Sequence, residues 1–214
     1  MKRLQKCLAG CLTAAMVCGT VVPPAGAVSN RPASAAEVYA AAGANAFADL
    51  NGHWAKDKIG RWVDYGLVSG VAQDRFAPDA SLSRAQLFAI MNRLQNNTVK
   101  ADISAFTDVK PGAWYYDDIA KAVAAGIAGG ANGKMRPDDA ITRQEVAVVF
   151  TKALGIDTSS TAGLDRFTDS GQIADWARGA VSAAVANGFL NGYSNGGFGA
   201  ANAMTRAEIV AMLD

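Results

Sequence analysis

An internal repeat constrains this chain more than any other feature of its sequence. From Phe47 one order of landmarks runs three times, restarting at Phe106 and Phe167, 59 and 61 residues apart. Each copy opens on Phe-x-Asp (Phe47 to Asp49, Phe106 to Asp108, Phe167 to Asp169) and places a tryptophan seven to nine residues after the Phe, at Trp54, Trp114 and Trp176. A helix-like stretch follows and ends on Gly66, Gly126 or Gly188, with a second glycine four residues later at Gly70, Gly130 or Gly192. A Ser/Thr-Arg-x-Gln/Glu tetrapeptide closes each set: Ser83 to Gln86, Thr142 to Glu145, Thr205 to Glu208. Repeats of this length are supersecondary units that cannot bury an apolar face alone and gain a core from their neighbours. The copies, 47–105, 106–166 and 167–214, therefore read as one cooperative unit.

Each copy reads as helix, loop, helix, and the chain as all-α. Ile59, Trp62 and Val63, or Ile119 and Val123, fall at helical spacing, and the glycine after them suits a left-handed C-cap. Runs such as Ala131-Asn132-Gly133-Lys134 are turn formers. The closing tetrapeptide has the form of a capping box, in which the hydroxyl and the Glu/Gln side chain satisfy orphan N–H groups at a helix start. Behind it lies an apolar stripe: Leu87, Ile90, Met91 and Leu94 in copy one, Val146, Val149, Phe150 and Leu154 in copy two.

Before the repeats, residues 1–27 combine a basic start (Lys2, Arg3, Lys6), an apolar run from Cys7 to Val22 and the triplet Ala25-Gly26-Ala27. This is the pattern of a secretory signal peptide cut before Val28, with an apolar run shorter than the roughly 20 residues of a membrane span. Leu8-Ala9-Gly10-Cys11 has the form of a lipoprotein box, but it sits too close to the basic start for an apolar segment of the usual length. Residues 28–46 are Ala-rich and read as a linker or a loosely docked helix.

Cys7, Cys11 and Cys18 all fall in the removed segment, so the mature chain is expected to hold no disulfide and no thiolate metal site. Neither cofactor nor metal is expected. The same segment takes three of the 20 basic residues and none of the 19 acidic ones, leaving a slightly acidic chain. Nucleic acid is a poor partner for that balance. One histidine, His53, is left for acid–base chemistry, and no G-x-S-x-G, H-E-x-x-H or P-loop pattern occurs. The chain therefore reads as a binding module and not as an enzyme.

Phe-x-Asp, the Trp, the Gly-x-x-x-Gly step, Phe76-Ala77-Pro78-Asp79 and Thr-Arg-x-Glu together resemble the surface-layer homology (SLH) family over residues 47–214. The resemblance implies a three-repeat pseudo-threefold helical prism and a secreted, wall-bound protein at the bacterial surface. It implies non-covalent binding of secondary cell-wall polysaccharide, often through acidic pyruvate ketal groups, in grooves between repeats. The arginine of the tetrapeptide is implied as a ligand group, here Arg84, Arg143 and Arg206. Copy one departs with Ser83 and Gln86, which removes one charge near an arginine. Copy two has a loop one residue shorter and Met135 where an aromatic is expected. Copy three reads Phe198-Gly199-Ala200 without the proline of Pro78 and Pro137, and its closing helix is short.

Capping explains the Ser/Thr and Glu/Gln of the tetrapeptide, and the apolar stripe explains the residues beyond it; the arginine is left over. At the first helical position a cation is disfavoured by roughly 0.3 to 1 kcal/mol. A bound carboxylate there would meet both the helix N-terminus and a guanidinium fork. The alternative is an internal carboxylate, such as Asp49, Asp108 or Asp169, paired with the arginine to fix repeat packing. On the binding reading, substitution of these arginines removes ligand and leaves stability almost unchanged.

Trp54, Trp114 and Trp176 are either sugar-stacking platforms or core anchors. The Phe residues of Phe-x-Asp read as core, and their Asp partners as N-caps or turn formers. Gly70, Gly130 and Gly192 either supply a positive-φ turn or admit a ligand to the backbone. The carbohydrate-binding set is thus three arginines, three tryptophans and three glycines. The rival function is a protein-interaction subunit of a surface-layer assembly. A wall hydrolase would need a carboxylate pair in a cleft. An anchor carries cargo, and the chain reads either as a stand-alone protein or as part of a longer one.

Overall fold

A computed structural model describes residues 47–214. The signal peptide, its cysteines and the Ala-rich segment 28–46 lie outside the described residues. Six α-helices fill the described part: α1 (Lys56–Asp64), α2 (Arg84–Gln95), α3 (Tyr116–Ala124), α4 (Arg143–Ala153), α5 (Asp175–Ala186) and α6 (Arg206–Leu213). Two short 3-10 turns, Ala48–Leu50 and Ser170–Gln172, precede α1 and α5. Among the described residues no β-sheet forms and no helix is long and apolar enough to cross a membrane. The all-α reading holds.

The helix ends are set by the residues that marked them in the sequence. Gly66, Gly126 and Gly188 follow α1, α3 and α5 with φ of 69°, 72° and 77°, the left-handed region that costs glycine nothing. Capping boxes open α2, α4 and α6: Ser83 N–H donates to Gln86 Oε1 at 2.9 Å, Thr142 N–H to Glu145 Oε2 at 2.9 Å, and Thr205 N–H to Glu208 Oε2 at 2.8 Å. The helices themselves divide into two kinds. α1 buries one face, through Ile59, Trp62 and Val63. α2 buries Ala85 and every residue from Leu87 to Asn92, and so lies inside the molecule rather than on its surface. The stripe expected from spacing was too narrow, because two neighbouring repeats pack against this helix and not one.

The order of packing follows from that. α2 packs on α3, α4 on α5, and α6 returns to α1, so each helix pair joins two successive copies and the last copy closes on the first. The segments before the capping boxes lock the same cycle. Leu82 N–H donates to Met204 O at 2.9 Å, Met204 N–H to Ile141 O at 3.0 Å, and Ile141 N–H to Leu82 O at 2.9 Å. These three residues are buried at the centre of the hydrogen-bonded ring. Each side chain there contributes about 1.5 to 3 kcal/mol of apolar burial, and all three bonds that hold these residues together run between copies.

Candidate functional site

The loop ahead of each capping box carries a residue in the left-handed region. Ala77 has φ 59°, Arg136 φ 52° and Gly199 φ 68°. An L side chain there costs about 1 to 2 kcal/mol, so Gly199 makes copy three the least strained of the three. The Asp of Phe-x-Asp holds this turn in place. Asp49 accepts Phe76 N–H at 3.0 Å and Ala77 N–H at 2.6 Å; Asp108 accepts Met135 N–H at 2.9 Å and Arg136 N–H at 2.7 Å; Asp169 accepts Phe198 N–H at 2.7 Å and Gly199 N–H at 2.8 Å. These carboxylates therefore brace a loop 27 to 30 residues away. Asp169 stands at the N-cap of the Ser170–Gln172 turn as expected, but its side chain, like those of Asp49 and Asp108, serves the distant loop and not a local cap.

The arginine grips the other end of the same peptide group. Arg206 Nε donates to Phe76 O at 3.0 Å, Arg84 Nε to Met135 O at 2.9 Å and Arg143 Nε to Phe198 O at 2.9 Å. One peptide in each loop is thus held between a carboxylate of its own copy and a guanidinium of the preceding copy in the cycle. A second nitrogen completes the clamp: Arg206 Nη2 donates to Ser69 O at 2.7 Å and Arg143 Nη2 to Asn191 O at 2.6 Å. Arg84 differs, donating Nη1 to Glu145 Oε1 at 2.7 Å. All three arginines are only 6 to 7% exposed. Burial lowers Arg206 to about 10, which leaves it cationic at neutral pH, and burial lowers Arg84 while Glu145 works in the opposite direction.

Two sequence expectations change here. Asp49, Asp108 and Asp169 do not form ion pairs with the arginines; the coupling runs through a peptide instead. The helix N-termini are also not open to an anion. Arg84 N–H and Ala85 N–H donate to Asp139 O and Pro137 O, Arg143 and Gln144 N–H to Asn202 O and Ala200 O, and Arg206 and Ala207 N–H to Ala80 O and Pro78 O. What Pro78, Pro137 and Ala200 supply at this point is a carbonyl, so the missing proline of copy three loses no bond.

Trp54, Trp114 and Trp176 are 64%, 59% and 61% exposed, and so they are not core anchors. Gly70, Gly130 and Gly192 do not have positive φ. A Cβ on Gly130 would lie 2.5 Å from Phe106 Cε1 and one on Gly192 2.7 Å from Phe167 Cε1, and Gly70 faces Phe47 in the same way. The glycine is needed so that the opening Phe can pack under the loop, a constraint invisible without knowing which ring lies there. His53 caps its own turn, Nδ1 accepting Ala55 N–H at 3.1 Å.

A cavity of about 500 Å³ opens between copies and brings three of these elements together: Gly70 from the first, Trp114 from the second and Arg206 from the third. Gln86, Arg93 and Asp118 also line it. Arg93 carried no signal in the sequence beyond helix position, and Gln86 showed there only as a missing charge, because the cavity they line forms only when α2 packs between copies.

Asp108 and Asp169 give the loop clamp a pH signature. Burial raises both carboxylates, but the two N–H donors on each outweigh it and leave both lowered. A carboxylate that ionises more readily folded than unfolded adds stability above its unfolded pKa, about 3.9, and loses it as pH falls through the folded value. Denaturant melts are expected to be flat from pH 7 to about 5 and to weaken below about pH 4. An Asp108→Asn, Asp169→Asn double variant should be less stable throughout and show a shallower acid slope. An unchanged slope in that variant would remove the clamp from the explanation.

The fold and these interlocking contacts define a cyclic three-repeat helical module with no strand scaffold among the described residues. Comparison with known proteins then places it: the S-layer homology domain model matches residues 46–88, 105–147 and 166–210, and the chain belongs to that family. It is 34% identical over 170 residues to "Exoglucanase XynX" of Acetivibrio thermocellus, covering 78% of this chain and 16% of the relative. The "Surface-layer 125 kDa protein" of Lysinibacillus sphaericus is 32% identical over 189 residues, 88% of this chain and 14% of that protein. The "Cellulosome-anchoring protein" of Acetivibrio thermocellus is 38% identical over 76 residues, 35% of this chain and 17% of that protein. The chain spans less than a fifth of each of these relatives, and the match to the enzyme-named one lies in the SLH region. SLH domains are non-catalytic modules of cell-wall anchoring, and the chain belongs at the cell wall or cell surface.

Proposed function

We propose that the chain anchors non-covalently to secondary cell-wall polysaccharide by taking an acidic sugar, of the pyruvate ketal kind, into the groove between repeats. The observation that carries this reading is the convergence of Arg206, Trp114 and Gly70 from three copies on one cavity. Arg206 Nη1 has no hydrogen-bond partner among the described residues, where no buried side-chain nitrogen or oxygen is left unpartnered, so this nitrogen reaches the groove. A guanidinium already held by two carbonyls is pre-oriented and gives up little entropy on gripping a carboxylate. The exposed face of Trp114 offers a platform for the apolar face of a sugar ring. Arg84 and Arg143, with Trp176 and Trp54 and with Gly130 and Gly192, are the corresponding residues of the other two grooves.

The described chain should sediment with purified wall sacculi and lose that association once the secondary polymer is chemically stripped. Retention on stripped sacculi would instead favour docking to another surface-layer protein.

A further inference from the structure

The three inter-repeat arginines have different surroundings, and the difference lies at one position. In the second groove, Arg84 Nη1 meets Glu145 Oε1 at 2.7 Å, and Arg136 bonds the same oxygen. Glu145 is the third residue of α4 and the acid of its capping box, so one carboxylate both caps the helix and neutralises the arginine of the preceding copy. The corresponding residue of α6 is Glu208, which caps its helix without pairing with Arg143; the ring of Tyr193 lies 4.5 Å from that guanidinium carbon instead. In α2 the position holds Gln86, which lines the cavity with Arg206. Gln86 performs the capping through its amide oxygen and brings no charge. Arg206, like Arg143, makes no ion pair among the described residues, but its groove alone has no acid at the capping-box position, and Arg93 adds a second cation to the cavity against Asp118 alone.

On the carbohydrate reading above, we infer that the cavity around Arg206 is the one that accepts the acidic sugar, and that Gln86 makes it so by bringing no negative charge to the position that Glu145 and Glu208 hold in the other two grooves. An entering anion in the groove at Arg84 must displace Glu145 from the guanidinium; in the Arg206 cavity no carboxylate pairs with the arginine. A like charge at the side of the pocket would also repel the ligand directly, in a medium of low dielectric where such interactions are strongest. A volume of about 500 Å³ is within the range of small-molecule pockets.

Calorimetric titration of the chain with the methyl glycoside of a pyruvylated amino sugar, beside the same sugar without the ketal, tests the assignment. The unmodified chain should bind one equivalent of the ketal sugar and little of the neutral one. Gln86→Glu should weaken binding at least tenfold with an unchanged melting temperature, since Glu serves the same capping box at 145 and 208. Glu145→Gln should raise the stoichiometry to two. Three equivalents in the unmodified chain, or Gln86→Glu binding within twofold of it, overturns the groove assignment and leaves the carbohydrate reading standing. No binding of the ketal sugar by the unmodified, folded chain removes that reading and the assignment with it.

Discussion

Arg143→Ala is expected to lower the stability of the chain by about 3 kcal/mol, the opposite of what a cation at the first helical position predicts. Truncation leaves Phe198 O and Asn191 O without their donors, and each charge-assisted bond of this kind contributes roughly 1.5 to 3 kcal/mol. Recovery of the guanidinium's hydration offsets part of that loss. The same bonds join two copies, so the damage falls on an interface and not on one helix. In a unit of this size the loss corresponds to about 6 to 12 °C in melting temperature. Arg143→Lys should recover only part of it, because an ammonium cannot serve two carbonyls through a planar fork. A loss below about 1 kcal/mol in denaturant melts would show that the buried arginine is merely tolerated.

Removing copy three has a larger effect still. A chain ending at residue 166 loses α6 from its seat on α1, Arg206 from Phe76 O and Ser69 O, and Met204 from both of its bonds in the central ring. Its exposed faces of α1 and α4 have no substitute partner. We expect residues 47–166 to show no cooperative melting transition by circular dichroism and no slowly exchanging amides, whereas residues 47–214 should melt in one step. Two separate transitions in the longer chain, or a folded two-copy fragment, would defeat the cyclic account.

Much of this architecture could be read from local chemistry. Ser83, Thr142 and Thr205 with their partners three residues on, and the glycines at 66, 126 and 188, mark helix starts and stops through bonds made within a few residues. What could not be read is anything whose partner lies in another copy. The donors of Arg206 meet carbonyls 130 and 137 residues away. Asp49, Asp108 and Asp169 satisfy backbone N–H groups, which leave no trace in side-chain identity. The tryptophans were ambiguous because a large apolar ring fits a core and a surface platform equally well, and only position decides. Gln86 looked like a weakened copy of an acid within its own repeat. Its consequence falls on the arginine of a different one, Arg206, and that neighbour is assigned by the direction in which the ring closes.

The ring of bonds through Leu82, Ile141 and Met204 also separates the order of the copies in the polypeptide from their order in space. Each copy clamps the next, and the third clamps the first, while Asp214 after α6 meets Arg61 in the last turn of α1 at 2.6 Å. A circle has no first member. A permuted polypeptide that began with the second copy and joined Asp214 to Phe47 by a flexible link would form the same three interfaces, with the new cut falling in a surface connection, where permutation is tolerated.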